Sequence, residues 1–173
     1  YLMDMGGRRL HTWSLPDDYK HCEYFELLAG GEVAVVCVNQ ALLKLDRESN
    51  VVWRLGQSVH HDVEVLTDGT LLVPRQGRLR RYKGRRVNFD VLMWVSDDGK
   101  VIDLWRTWEH LEELQAHHEP TQLDEPFDGP ITKKGHDYYH LNTVEVLPDT
   151  PLGREDERFR AGNILICLRN VNL

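Results

Sequence analysis

No run of about eighteen apolar residues occurs anywhere in the 173-residue chain, so no segment reads as a membrane-spanning helix. The first ten residues, Tyr1 to Leu10, lack a charged start followed by an apolar stretch and already read as structure. Any targeting segment is therefore expected outside this chain. Cysteine is scarce: Cys22, Cys37 and Cys167 have no CxxC spacing and sit among apolar residues, which points to buried thiols and not to metal ligands or a redox pair. Their odd number leaves the compartment open. A basic surplus is also missing. At a net charge of −7 the chain is no general nucleic-acid binder, because phosphate contacts need a basic surface that displaces counterions. Zinc motifs such as HExxH are missing too, so His110, His117, His118 and Glu119, although close in sequence, give no metal-ligand pattern and no metal is expected. His11 and His136 read as ordinary structural histidines.

What is present is a folding composition, 41% hydrophobic and 28% charged, with enough length for a real core. The charge is unevenly spread. Arg75 to Arg86 (RQGRLRRYKGRR) holds seven basic residues and no acid, which leaves the rest of the chain at −7 − 7 = −14. That segment is either a solvated hairpin insertion or a docking site for an anionic partner or surface.

Three segments share one pattern: Tyr24-Phe25-Glu26-Leu27-Leu28-Ala29-Gly30-Gly31, Val63-Glu64-Val65-Leu66-Thr67-Asp68-Gly69 and Val144-Glu145-Val146-Leu147-Pro148-Asp149. Each precedes a β-rich run, Val33 to Val38, Thr70 to Val73 and Asn163 to Leu168, the last after a polar insertion from Thr150 to Gly162. Glycine in the turn supplies the positive φ of a tight hairpin. A second hairpin type alternates with the first, over Leu2 to Trp13, Leu42 to Leu55 and Val91 to Trp105, and Gly7 to Trp13 and Gly99 to Trp105 share one glycine-to-tryptophan spacing. The order is half a four-strand unit, two full units and another half. Such units arrayed radially form propeller blades. The expected architecture is an all-β partial β-propeller of four-stranded antiparallel blades: a half blade over 1–15, blades over 21–57 and 60–105, a helix-and-loop insertion over 106–139, and a half blade over 140–173. Trp108, Leu111 and Leu114 at helical spacing predict a short amphipathic helix, and His117 to Gly135 reads as a long loop. About three blades is fewer than a closed propeller uses, so missing blades or self-association are expected to complete the ring.

Sliding the repeats over one another puts Phe25, Val63 and Val144 in register, at offsets of 38 and 81. His21, Val59 and His140 then coincide, as do Glu23, His61 and Asn142. Side chains alternate with period two along a strand, so each set faces one way and converges on one mouth of the central channel. Residues of this kind can build a site, or can simply hold channel water.

These residues resemble a known family. His60-His61-Asp62 before Val-Glu-Val-Leu-x-Asp-Gly, His140-Leu141-Asn142 before the same strand, and Arg169 after the next one are similar to the bacterial arylsulfate sulfotransferases. Tyr1-Leu2-Met3-Asp4-Met5-Gly6-Gly7 and His11-Thr12-Trp13 are similar to the stretch near the start of that family's propeller. The resemblance implies a six-bladed propeller and PAPS-independent sulfuryl transfer from an aryl sulfate to a phenol, with no cofactor, through a sulfohistidine. It also implies an extracytoplasmic, periplasmic setting. Carried over, His61 (or His60), His140, Asn142 and Arg169 match positions that contact the sulfuryl group, with His21, Glu23 and His60 as further substrate-binding candidates. The nucleophilic histidine of the family belongs to a later blade, which is expected beyond Leu173. The competing expectation is a propeller without turnover, serving as a ligand-binding or protein-interaction scaffold.

Overall fold

The computed structural model describes residues 1–129 and 135–173. Residues 130–134, part of the loop expected over His117 to Gly135, lie outside the described residues. Strands β1 (Leu2–Met3) and β2 (Arg9–His11) form an antiparallel pair. A four-stranded sheet follows in sequential order, β3 (Cys22–Leu27), β4 (Val33–Cys37), β5 (Ala41–Leu45) and β6 (Val51–Leu55). The next sheet begins with β7 (Glu64–Val65) and β8 (Leu71–Gln76), is interrupted by the hairpin β9 (Arg80–Tyr82) and β10 (Arg85–Asn88), and closes with β11 (Asp90–Val95) and β12 (Val101–Arg106). After the short strand β13 (His136–Asp137) the chain ends in the antiparallel pair β14 (Leu141–Val146) and β15 (Ile164–Leu168). Half, full, full, half is the blade order of a partial β-propeller. The turn glycines Gly31 and Gly69 have φ of 81° and 83°, the conformation the hairpins require.

Strand burial explains why the blades stand face to face. All five residues of β4 and of β5 are buried, a continuous pattern that arises only where both faces of a sheet are covered. Ala34, Val36 and Leu42 pack toward Val73, Met93 and Val95 of the next blade, while Val35, Leu43 and Leu45 pack toward Trp13, Leu15 and Tyr19. On the far side of the second blade, Leu72, Leu92 and Trp94 pack against Val144, Ile164 and Ile166. Polar links reinforce these faces. The buried Lys44 reaches Asp97 at 2.6 Å and Glu32 at 2.9 Å, and Trp53 Nε1 donates to the Asp97 carbonyl at 2.8 Å.

Two aspartates tie β14 to the second blade. Asp62 accepts from Val63 N at 2.9 Å and, through its other oxygen, from Val144 N at 2.9 Å. Asp90 accepts from Leu141 N at 3.0 Å and contacts His60 Nε2 at 3.2 Å. Both carboxylates are buried, so each backbone N–H they receive would otherwise stand unpaired away from water.

The basic segment is a hairpin insertion, β9–β10, and β13 joins it in parallel with Val87 opposite His136 and Asn88 opposite Asp137. The expected helix runs as a 3-10 turn, Thr107–His110, continuing into α1 (Leu111–Gln115). Trp108, Leu111 and Leu114 pack on Tyr82, Phe89, Tyr138 and Tyr139. Asp124 anchors the loop beneath, accepting from the hydroxyls of Tyr82 at 2.8 Å and Tyr138 at 2.6 Å and from Gln115 Nε2 at 2.7 Å. The polar insertion from Thr150 to Gly162 holds a second short helix, α2 (Pro151–Glu155), capped by Thr150.

The cysteines differ from the sequence reading. Cys22 and Cys37 lie directly opposite on β3 and β4 and are joined as a disulfide, and Cys167 is exposed. Sequence spacing alone does not reveal cross-strand opposition, because a bulge at Glu23 sets that register.

Two stability measurements test this architecture. Asp62→Ala should cost about 2–3 kcal/mol in a urea melt by orphaning the buried Val63 and Val144 amides, and Asp62→Asn, which keeps one acceptor, about half of that. Glu26 has its carboxyl pushed upward by burial and then by Asp62. A raised carboxyl binds its proton more readily folded than unfolded, so its ionised form opposes folding at neutral pH. Glu26→Gln should therefore raise the melting temperature at pH 7, with the gain disappearing near about pH 4.

Candidate active site

The site forms where the inner strands of the second and third blades leave their sheets. Val59 lies opposite Arg75 but Glu64 lies opposite Leu72, so the first strand of this blade takes two residues more than its partner over that interval. The surplus falls on His61 and Asp62, since His60 N still donates to the Pro74 carbonyl at 3.1 Å. Bulges with one extra residue occur at the matching places of β3, at Glu23, and of β14, at Asn142. Glu23, His61 and Asn142 thus all occupy bulges, as their register suggests. Val59 instead matches Cys22 and Leu141, which lie opposite Cys37 and Leu168, because the larger bulge slips the strand by one place relative to His21 and His140.

His61 and His140 both have left-handed backbones, with φ of 62° and 55°. That conformation costs an L-residue about 1–2 kcal/mol and persists only where the surroundings hold it. Here it turns the two imidazoles toward each other, Nε2 to Nε2 at 2.7 Å. His140 Nδ1 meets Asp137 Oδ2 at 2.5 Å. Asp137 accepts from the Nδ1–H, which leaves His140 Nε2 free to receive a proton from His61. His60 stands behind the pair, buried, its ring centroid 5.1 Å from that of His61 and 6.0 Å from that of His140. Glu23 Oε2 lies 3.6 Å from His61 Nδ1, beyond hydrogen-bond reach.

Arg169 follows β15 directly and its N–H donates to the His140 carbonyl at 3.2 Å. Its side chain is exposed. Burial is the main force lowering the His61 pKa from its ordinary 6.5, followed by the neighbouring His60 and His140, and the charge of Arg169 acts in the same direction. Asn142 is half-buried without a side-chain hydrogen bond among the described residues, and His21 is exposed at the start of β3. The structure therefore brings His60, His61, His140, Glu23 and the charge of Arg169 together. Asp137 and Asp90 escape a reading by repeats, because neither belongs to the recurring strand. The one local signal is His-Asp-Tyr-Tyr-His, which sets Asp137 three residues before His140.

A proton taken up by the neutral His61 can pass along the line through His140 toward Asp137, and the exposed guanidinium of Arg169 can receive an anion. The pH dependence of stability follows from the lowered pKa. The unfolded chain takes up the His61 proton more readily than the fold does, so the stability His61 contributes is present above about pH 6.5 and falls as pH drops through the range below it. The decline in melting temperature between about pH 7 and pH 5 should be shallower in His61→Gln than in the unsubstituted protein, and the His61 ring resonance followed by NMR should titrate higher in Arg169→Gln.

Compared with known protein families, residues 1–151 match the model of the arylsulfotransferases (ASST). The match takes in His60, His61, Asp137, His140 and Asn142 and stops short of Arg169. Neither the curated proteins nor the solved structures contain a match. With 151 of 173 residues matched over the half blade, both full blades and the first strand of the last pair, the chain belongs to the arylsulfotransferase family.

Proposed function

We propose that this protein takes part in PAPS-independent sulfuryl transfer from an aryl sulfate to a phenolic acceptor, with the His61–His140–Asp137 line and Arg169 forming part of the active site. At the level of the family, aryl sulfate donors and phenol acceptors are the substrates. The observation that carries the finer reading is the continuous chain of contacts, 2.7 Å between the imidazoles and 2.5 Å to Asp137, made by two histidines with left-handed backbones within the family match.

Sulfuryl transfer breaks the bond between sulfur and the aryl oxygen and spreads charge over three sulfuryl oxygens. Arg169 and the Nδ1–H of His61, whose Nε2 would then accept from a protonated His140, would donate to those oxygens as an oxyanion hole does. His140, doubly protonated when the donor binds, would give its Nε2 proton to the departing phenolate and regain one from the acceptor phenol, while Asp137 holds its Nδ1–H throughout. The sulfuryl group would rest in between on a histidine nitrogen, and this reading assigns that nucleophile to a further blade. Glu23, His60, Asn142 and, at the rim, His21 would shape the pocket for the aryl group.

A disulfide between Cys22 and Cys37 suits an oxidising compartment and so supports a periplasmic location. Phe25 and Leu27, each 50% exposed on the inner strand β3, favour completion of the ring by further blades or by self-association.

The test is turnover of p-nitrophenyl sulfate with a phenol acceptor by the intact protein, alongside a thermal melt. Arg169→Ala should lower kcat/KM by roughly ten- to a hundredfold, the worth of a charged hydrogen bond, with partial recovery in Arg169→Lys. Asp137→Asn should lower kcat by about a hundredfold or more by releasing the His140 tautomer. Full turnover in both variants, with unchanged melts, would remove these residues from the site. Binding of p-nitrophenyl sulfate without any turnover in the unsubstituted protein would instead establish a ligand-binding propeller.

A further inference from the structure

We propose that a second site, outside the histidine cluster, binds an oxyanion of two or more negative charges, phosphate or sulfate in chemistry, between Arg75, Arg78, Arg80 and Arg106. The arginine geometry carries this site independently of any transferase activity.

Arg75 on β8 and Arg106 on β12 both lie opposite Val91 of the intervening strand β11. They share one face of the sheet, two strand spacings or about 10 Å apart at the backbone. Guanidinium groups on such stems can close on a tetrahedral anion set over Val91. The chain then turns sharply at Gly77, whose N–H donates to the Phe89 carbonyl at 3.0 Å. A Cβ at Gly77 would stand 2.2 Å from that oxygen, so only glycine permits the approach that carries Arg78 and Arg80 back over the same spot. Arg80 is held flat over the Trp108 ring, 5.0 Å from its centroid. Together these residues line a cavity of about 340 Å³.

The electrostatics of this cavity are one-sided. Among the described residues, no carboxylate comes within ion-pair distance of Arg75, Arg78 or Arg80, while Arg106 Nη1 pairs with both carboxylate oxygens of the exposed Glu109 at 3.4 Å. Asp90 borders the cavity, but its carboxylate is already engaged by His60 and by Leu141 N. The Nε of Arg75 is buried without a hydrogen-bond partner. Burial, then Arg106 and Arg78, push the Arg75 guanidinium below its ordinary pKa, as expected of a cation crowded by like charges. A buried, unpaired donor among four cations in an otherwise acidic chain is accounted for by a bound anion.

Isothermal titration at low ionic strength with inorganic sulfate, phosphate and pyrophosphate, and with phenyl phosphate, tests the proposal. Saturable binding is expected, tightest for pyrophosphate, weakening with added chloride. Arg75→Gln and Arg106→Gln should each weaken it by about tenfold or more. Arg160→Gln, on the exposed turn after α2, should leave it unchanged. Tighter binding of phenyl phosphate than of phosphate would assign the Trp108 face to an ester's aromatic ring, and equal binding would assign the site to the free ion. Without anion, Arg75→Gln should melt at or above the unsubstituted protein, because crowding of like charges is relieved. Should it fail to fold, the double variant Arg78→Gln/Arg80→Gln, at exposed positions, reads the same loss. No heat with any of the four anions, or undiminished binding in the cavity variants, would overturn the proposal.

Discussion

The site depends on two buried carboxylates that hold a strand from one blade against the edge of another. β14 has a single sheet partner, β15, and the described residues offer its remaining amides no further strand. Asp62 receives Val144 N and Asp90 receives Leu141 N, so the side chains of the second blade do what a neighbouring strand would otherwise do. His140 immediately precedes Leu141, which places its imidazole where His61 can meet it. Asp62 itself follows His61 in the chain. The same short stretch thus positions one histidine by covalent attachment and the other by hydrogen bonding. Stability and chemistry are coupled here, since a change that loosens the anchor also separates the imidazoles.

Apolar packing supplies the rigidity that makes such anchoring useful. β4, β5, β8 and β11 are apolar on both faces because each sheet is covered on both sides, and polar residues concentrate at the strand ends and on the insertion. The insertion contributes to the site through β13. Its parallel pairing with β10 fixes the position of Asp137, three residues before His140 in the chain, and the aromatic cluster of Tyr82, Phe89, Trp108, Tyr138 and Tyr139 holds that pairing in place. His61 and His140 are therefore constrained from three directions: by the bulge that turns His61 out of its strand, by the aspartates beneath β14, and by the insertion beside them. Left-handed backbone at His61 and His140 is tolerated because these constraints act together.

The basic hairpin has two distinct halves. Arg85 contacts the Glu125 carbonyl at 2.5 Å and lies over the Phe127 ring, so it serves the insertion itself. Arg75, Arg78 and Arg80 face instead the cavity over Val91, where no carboxylate among the described residues pairs with them. Charge that looks like one run in the sequence is divided by the fold into a structural part and a free part.

By itself the sequence determined the blade pattern. Strand-turn-strand repeats, glycines in the turns and continuous apolar runs are local properties, and local sterics and burial suffice to read them. The repeat register also put Glu23, His61 and Asn142 at equivalent strand positions, where the structure has bulges. Tertiary structure decided the rest, because the deciding contacts join residues far apart in the chain. Whether a bulge holds one extra residue or two is set by pairing with the next strand, which is why Val59 aligns with Cys22 and Leu141 instead of His21 and His140. The Cys22–Cys37 bond depends on that same pairing. Asp137 and Asp90 carry no repeat signature, so their roles emerge only when β13 joins β10 and β14 docks on the second blade. The arginine cavity follows the same rule, since Arg75 and Arg106 are neighbours only through Val91 between them.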